Sequence, residues 1–340
     1  MNDRRVRWAV VGTSDFALDW VAGGIAHSPD AELVAVVGRD PVRAEAAAAR
    51  MGASRSATSI EELDPTDVDV VDLVVPNPQH APLTIAALER GFHVVVEKPM
   101  APTLAECRAM AEAARRCGRR LFVAHCMTWR PPVVAIRAAL ADGRVGQPVM
   151  ATVSIAFDGR PNGSWRQELT TEASGGPLYD LGAHAIDALL SMFGRVGSVT
   201  GRLDRIFYTY PADDTAIATL RFVSGVVGVV ETSFACEQND FVVNGRLGRM
   251  SSSEWLGRDT AGDAWWRPAR DSLGRQAPPE VIPLEPRNVY EAQATEVSQA
   301  LLENRPSAIP ADRGMAVVAV IEATIRSARN GGAVVVPEAP

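Results

Sequence analysis

The feature that most constrains this fold is the alternation, through the first 124 residues, of short β-branched runs with alanine-rich helical stretches. The β-branched runs predict strands over residues 8–11, 33–37, 70–74, 93–96 and 121–124. Helical stretches between them end at Gly52, Gly91 and Gly118, and glycine is the residue that a helix C-terminus favours. Alternating strands and helices are typical of βαβ units, so the pattern predicts a doubly wound parallel sheet.

After Trp129 the pattern changes to longer alternating stretches, which predict antiparallel strands. These strands cover residues 149–157, 198–208, 215–222 and 226–234. Further helices are predicted over 180–193, 290–303 and 312–330. The chain has 340 residues, more than a single core usually serves. We therefore expect an α/β protein with an N-terminal Rossmann domain, residues 1–124, and a C-terminal α+β domain, residues 125–340, which holds a large, mainly antiparallel open sheet.

Composition excludes several classes of partner. The formal net charge is −7 and the arginines are scattered through acidic sequence, which argues against nucleic acid as a partner. The four cysteines contain no C-x-x-C pair and indicate free thiols in a reducing compartment. No apolar run approaches the roughly 20 residues of a membrane span, and the N-terminus has no secretion-signal core. We expect a cytoplasmic protein with no membrane partner.

The first strand leads into a loop that stands where a dinucleotide fingerprint would be, although only its first glycine is present. A glycine there permits the tight turn, and a small residue two positions later permits close approach of the backbone to a pyrophosphate. The alternative is an ordinary strand-to-helix turn. The residues expected to bind a dinucleotide here are Gly12, Thr13, Ser14, Asp15 and Phe16.

The second strand ends in Gly38-Arg39-Asp40. Domains that prefer NAD usually present a carboxylate at this point to bind the ribose hydroxyls. A guanidinium instead can bind a 2′-phosphate through two hydrogen bonds. Arg39 therefore favours NADP(H). NAD(H) stays possible, with Asp40 on the hydroxyls or Arg39 in solvent.

Hydride transfer to or from a secondary alcohol requires a group that exchanges the hydroxyl proton and donors that polarise the carbonyl. Lys98 follows an apolar strand at the edge of the predicted parallel sheet where such folds bind ligands. Asp180 and His184 are four residues apart, so on a helix they face the same side. We expect His184 to act as acid or base and Lys98 to polarise the reacting oxygen, with proton transfer by Lys98 as the alternative. Asp180 is expected to hold the imidazole or to bond a neighbouring substrate hydroxyl.

Three segments carry a resemblance to a known family. The third strand leads into Asn77-Pro78-Gln79-His80, the fourth into Glu97-Lys98-Pro99, and residues 174–187 read SGGPLYDLGAHAID. With these residues the chain resembles the Gfo/Idh/MocA family of sugar and polyol oxidoreductases, which carries N-x-x-H, E-K-P and D-x-G-x-H at these points. More loosely, it resembles the 1,5-anhydro-D-fructose reductase branch, through residues 19–21 and 283–291.

The resemblance implies an NAD(P)-dependent dehydrogenase or reductase that acts on a sugar, a keto-sugar or a cyclitol, uses no metal, and assembles as a homodimer or homotetramer. Its two motif groups come from different domains and are expected to meet around the reacting carbon. It further implies cofactor contacts from Pro76, Asn77, His80, Glu97, Lys98, Trp129 and Arg130. It implies substrate contacts from Lys98, Trp165, Arg166, Asp180 and His184. The alternatives are a glycosidase that holds NAD tightly and a non-catalytic dinucleotide sensor.

Overall fold

A computed structural model of the chain describes residues 4–339. The chain divides into two compact units. The first comprises the chain up to Cys126 together with Asn288–Met315, and the second comprises Met127–Arg287 together with the chain from Ala316 onward. The predicted ranges, 1–124 and 125–340, therefore need one correction, because the segment Asn288–Met315 belongs with the first unit.

Six strands of the first unit form one parallel sheet. They are β1 (Val6–Val11), β2 (Ala31–Val37), β3 (Arg55–Ala57), β4 (Val70–Leu73), β5 (His93–Val96) and β6 (Leu121–Val123). Their order across the sheet is β3-β2-β1-β4-β5-β6, and every neighbouring pair is parallel. This confirms the predicted Rossmann architecture. The sequence pattern missed β3, an edge strand in which two of the three residues are exposed.

The α-helices of the described residues are α1 (Gly23–His27), α2 (Pro41–Met51), α3 (His80–Glu89), α4 (Leu104–Cys117), α5 (Pro131–Ala141), α6 (Trp165–Glu168), α7 (Ala183–Phe193), α8 (Val289–Leu302) and α9 (Ala311–Arg329). Gly52 and Gly118 end α2 and α4 in the left-handed conformation, as predicted. Two π-helical turns, Phe16–Ala22 and Leu178–Gly182, lead directly into α1 and α7. None of the helices within residues 4–339 is both long and apolar enough to cross a membrane.

Helix α8 joins the first unit through close packing and a buried hydrogen bond. A Cβ placed on Gly24 would lie 2.5 Å from the Cβ of Tyr290, so only glycine lets α1 and α8 approach this closely. The indole of Trp8, in β1, donates to the Ser298 hydroxyl at 3.1 Å. These contacts join residues more than 260 positions apart, and local periodicity in the sequence carries no information about such contacts.

The second unit contains a sheet of eight strands. The strands are β7 (Pro148–Ala156), β8 (Val196–Asp204), β9 (Thr215–Phe222), β10 (Val227–Ser233), β11 (Gln238–Gly245), β12 (Gly248–Ser252), β13 (Trp265–Pro268) and β14 (Glu280–Val281). Their order is β14-β13-β12-β11-β7-β10-β9-β8, and β7 with β10 is the parallel pair in an otherwise antiparallel sheet. The predicted open sheet is confirmed. Strands β11 and β12 were not predicted.

Strand β8 ends earlier than the predicted 198–208. It stops at Asp204, because the carboxylate of Asp214 accepts the backbone N–H groups of Ile206, Phe207 and Tyr208 at 2.7–3.1 Å. N–H groups bound to a side chain are lost to strand pairing, so the chain turns away from the sheet here.

Candidate active site

The loop after β1 has no room for a side chain at its first residue. Gly12 has a φ of +144°, and a Cβ there would lie 2.5 Å from the Val74 carbonyl oxygen and 3.3 Å from the Cβ of Ala17. The hydroxyl of Ser14 accepts the N–H of Ala17 at 3.2 Å and so caps the following turn. Close approach of loop, strand and helix makes the backbone cradle that a dinucleotide pyrophosphate requires. The loop therefore fits the cofactor despite its missing glycines.

Basic side chains follow the end of β2. Arg39 is exposed, and within residues 4–339 it forms no ion pair or hydrogen bond. The neighbouring carboxylate of Asp40 accepts the N–H groups of Val42 and Arg43 at 3.0 and 3.1 Å, so it serves as the N-cap of α2. The guanidinium of Arg43 donates to the Thr13 carbonyl in the phosphate loop at 3.3 Å. The end of β2 thus presents cations beside the loop.

The E-K-P turn follows β5 at the carboxyl edge of the parallel sheet. The carboxylate of Glu97 is buried and accepts the backbone N–H of Lys98 at 3.1 Å. Lys98 is half-buried, and the Lys98–Pro99 peptide bond is cis. In the adjacent strand, burial raises the pKa of Asp72 well above its ordinary value, and the charge of Glu97 raises it further. The interior behind Lys98 therefore favours a protonated Asp72.

A residue of α8 also reaches this edge of the sheet. The ring of Tyr290 packs against Phe16 and Trp20, with centroids 5.8 and 6.3 Å away. Burial raises the pKa of the Cys126 thiol, and Glu97 raises it further, while Lys98 and a hydrogen bond from Tyr290 act in the opposite direction. Cys126 is therefore a neutral thiol. Tyr290 connects the helix after the phosphate loop to the end of β6.

In the second unit, three of the predicted substrate residues contact one another. The guanidinium of Arg166 lies 4.6 Å from the ring centroid of Trp165, and its Nε lies 3.0 Å from Oδ1 of Asp180. The side chain of Asp180 is 13% exposed and that of Arg166 is 40% exposed. The ion pair is therefore partly shielded from water, and it holds the Asp180 carboxylate in place.

The helix that carries Asp180 and His184 begins differently from the prediction. Asp180 lies in the π-helical turn Leu178–Gly182, and His184 lies in the first turn of α7. A π-turn widens the helix and often occurs at functional sites. Before it, a Cβ on Gly175 would lie 2.0 Å from the Leu169 carbonyl oxygen, which explains the glycine at this position. His184 is half-buried.

Metal-ligating side chains are not clustered in the part of the chain that the structure describes. Within residues 4–339, no group of three or more His, Cys, Asp or Glu side chains is placed to hold a metal ion.

Comparison with known proteins identifies the family. Residues 6–125 match the oxidoreductase family with an NAD-binding Rossmann fold, and residues 133–251 match the Gfo/Idh/MocA C-terminal domain. 1,5-Anhydro-D-fructose reductase of Ensifer adhaerens is 31% identical over 96% of this chain and 97% of its own length. The chain belongs to the Gfo/Idh/MocA oxidoreductase family. It is therefore an NAD(P)-dependent oxidoreductase.

Two further relatives span most of this Gfo/Idh/MocA protein. D-Apiose dehydrogenase of Paraburkholderia graminis is 28% identical over 88% of this chain and 82% of its own length. The crystal structure of aldose-aldose oxidoreductase from Caulobacter crescentus, complexed with glycerol, has a TM-score of 0.88 and 26% identity, and the match covers 98% of this chain and all of that one.

Lys98 differs chemically from all the other lysine-or-arginine side chains of this family member. The sequence contains 34 lysines and arginines, and Lys98 is its only lysine. An arginine keeps its proton at any ordinary pH, whereas a lysine amine can release one. Among the lysines and arginines of the sequence, the one side chain that can exchange a proton in this way therefore lies in the E-K-P motif.

Two residues expected to contact the cofactor are engaged by the protein itself. Arg130 is fully buried in the second unit, and its guanidinium donates to the carbonyl oxygens of Trp255, Glu254 and Thr260. His80 is also fully buried, and both of its ring nitrogens face backbone carbonyls. Neither side chain presents an exposed donor to a ligand. Both side chains hold the Gfo/Idh/MocA scaffold, and their contact with the dinucleotide stays a prediction.

Sequence reasoning missed three residues of these sites. Arg43 follows Arg39 by one helical turn, a spacing that could have indicated it. Tyr290 lies far along the chain, and no local pattern connects it to the phosphate loop. Gln167 is buried next to Arg166; its Nε2 donates to the carbonyls of Gly159 and Arg160, and its Oε1 accepts the N–H of Asn162. It therefore fixes α6, which carries Trp165 and Arg166, to the loop that precedes it.

Proposed function

We propose that this protein is an NADP(H)-dependent oxidoreductase that transfers a hydride between nicotinamide and a secondary alcohol or ketone of a sugar, keto-sugar or cyclitol. The relatives named above are a reductase, a dehydrogenase and an oxidoreductase of sugars, which supports this substrate class. The observation that carries the proposal is the position of the single lysine of the sequence, Lys98, in the E-K-P motif, while every other lysine-or-arginine position holds an arginine.

The bound nicotinamide would supply or accept the hydride. For the proton, we propose that Lys98 and His184 serve as the polarising and acid-base groups, because a lysine amine and an imidazole can both donate a hydrogen bond and exchange a proton. Asp180 would orient the reacting hydroxyl or His184. The contact with Arg166 at 3.0 Å supports that role, because it limits the positions that the Asp180 carboxylate can adopt.

The sugar would pack against Trp165, because the apolar faces of a pyranose fit an indole ring. Arg166 stacks on that indole and supplies donors for substrate hydroxyls. The helix that carries both residues, α6, is held to the preceding loop by the buried amide of Gln167. The substrate would therefore meet a rigid recognition surface in this unit.

We propose a preference for NADP(H), on the grounds that Arg39 is exposed at the end of β2 and Arg43 touches the phosphate loop. The Asp40 carboxylate already accepts two backbone N–H groups, which makes it less available to ribose hydroxyls. Two guanidinium groups match the charge and the acceptor geometry of a 2′-phosphate. NAD(H) can still bind through the pyrophosphate loop.

Cofactor preference is tested by fluorescence titration of NADPH and NADH. Losing one charge-assisted hydrogen bond costs about 1.5–3 kcal/mol, so Arg39→Ala and Arg43→Ala should each weaken NADPH binding about 10- to 100-fold. NADH binding should change little. The matched control is Arg115→Ala, an exposed arginine on α4 that pairs with Glu112. Equal losses for both cofactors, or none for either, would contradict the proposal.

Catalytic function is tested by a panel of keto-sugars and polyols with NADPH and NADP⁺, followed at the nicotinamide absorbance band. Lys98→Arg keeps the charge but removes the exchangeable proton, so we expect kcat to fall by about 10²–10⁴. Arg115→Lys adds a lysine elsewhere and should leave kcat unchanged. Hydrolysis of a chromogenic glycoside without nucleotide consumption would instead indicate a glycosidase, and binding without any turnover would indicate a sensor.

We also propose that the protein is a homodimer or homotetramer that pairs through the exposed face of the eight-stranded sheet. Ile217 and Met150 are each 42% exposed and lie on this same face, in β9 and β7. Light scattering of the purified protein tests the assembly. Ile217→Asp should shift it toward monomer, and a monomeric unmodified protein would contradict the proposal.

A further inference from the structure

His80 joins the two turns that carry the N-x-x-H and E-K-P motifs. Its Nδ1 lies 2.9 Å from the carbonyl oxygen of Pro99, and its Nε2 lies 2.9 Å from that of Val75. Val75 lies beyond the end of β4, and Pro99 is bonded directly to Lys98, beyond the end of β5. The imidazole therefore connects two loops at the carboxyl ends of neighbouring parallel strands.

The protonation state of His80 determines how many hydrogen bonds its ring can donate to the two carbonyls. A neutral ring carries one N–H, whereas an imidazolium carries two, so only the charged ring donates to both carbonyls. Burial has the largest effect and lowers the pKa of His80 on balance; the charge of Lys98 lowers it further, and the carbonyls of Val75, Pro99 and Met100 raise it. The ring is therefore neutral, so it donates to one of the two carbonyls and only contacts the other. Lys98 thus acts electrostatically on the ring that holds its own turn.

We infer that His80 is a positioning residue for Lys98: its buried imidazole lies between the Val75 and Pro99 carbonyls, donates to one of them and packs against the other, and so holds the turn from which the Lys98 amine projects. The inference rests on the proposed role of Lys98 in hydride transfer. His80 is 0% exposed, so it acts through the turn and not by touching a ligand. A displacement of about 1 Å at a catalytic group can cost about 100-fold in rate.

The single lysine provides a direct probe. Protein grown with ¹³Cε-lysine has one lysine side-chain resonance, which reports on Lys98 with no substrate present. His80→Leu removes both ring contacts, and His80→Gln keeps an amide that can donate one. The matched control is Thr84→Val, also fully buried in α3, whose hydroxyl has no hydrogen-bond partner within residues 4–339.

We expect His80→Leu to shift or broaden the Lys98 resonance and to lower kcat about 10- to 100-fold, while KM and the Kd for NADPH stay within about 2-fold. His80→Gln should recover part of both losses. Thr84→Val should change neither the resonance nor kcat.

An unchanged Lys98 resonance and an unchanged kcat per folded molecule in His80→Leu would overturn the inference, whatever the loss of thermal stability. If His80→Leu does not fold, the same two measurements on His80→Gln decide. If the unmodified protein turns over no sugar, the proposed function fails. The resonance then decides the inference alone: a displaced signal supports the positioning of Lys98 by His80, and an unmoved one refutes it.

Discussion

Gly12→Ala should weaken both the first unit and its dinucleotide site. The φ of +144° lies in a region that residues with a Cβ rarely adopt, at a cost of about 1–3 kcal/mol. The new Cβ would also lie 2.5 Å from the Val74 carbonyl oxygen, which is backbone and can yield only if β4 moves. Such overpacking typically costs a further 1–3 kcal/mol or so. The expected destabilisation is about 2–6 kcal/mol.

Gly52 provides a matched control for the contact between a Cβ at position 12 and the Val74 carbonyl oxygen. Gly52 also has a positive φ, of 69°, but a Cβ there meets nothing within 4 Å. Gly52→Ala should therefore cost only the left-handed backbone term, about 1–2 kcal/mol. A loss in Gly12→Ala beyond its own backbone strain of about 1–3 kcal/mol measures the clash with Val74.

Scanning calorimetry measures both variants, and each kcal/mol lowers Tm by about 2–4 °C in a domain of this size. NADPH titration gives the functional effect, because the displaced loop is the one that cradles the pyrophosphate. We expect Gly12→Ala to bind NADPH at least about 10-fold more weakly and Gly52→Ala to bind it normally. Equal Tm losses in the two variants, or normal NADPH binding by Gly12→Ala, would refute the reasoning.

Two further predictions concern the second unit. Arg130→Met should lower its stability by about 2–4 kcal/mol, because three backbone carbonyls, of which that of Trp255 is buried, lose a charged donor. Arg249→Met, at an exposed site, should change Tm little, and equal effects in urea denaturation would contradict this. Burial would raise the pKa of Asp214, but the N–H groups of residues 206–208 and a threonine hydroxyl lower it on balance. Its contribution to stability is therefore present above the unfolded carboxyl pKa of about 4 and is lost as pH falls through the lower folded value. Asp214→Asn should thus be less stable than the unmodified protein at pH 7 and approach it in acid, and a pH-independent difference would count against the assignment.

Local patterns in the sequence were enough to predict the Rossmann sheet, the helix ends at Gly52 and Gly118 and the position of Lys98 beyond β5. Each of these depends on neighbouring residues: β-branched runs favour strands, and a left-handed helix end favours glycine. Asp180 and His184 were located on a helix for the same reason. The π-turn around Asp180 was not, because its wider hydrogen bonding leaves no periodic signal in five residues.

What only the tertiary structure decided depends on residues far apart in sequence. The segment Asn288–Met315 joins the first unit because Trp8 binds Ser298, 290 positions away, and because Gly24 admits Tyr290. Arg130 and His80 sit in motifs that suggest ligand contact, yet backbone carbonyls engage both side chains and water reaches neither. A motif specifies which donors are present, and only packing decides which acceptors they meet.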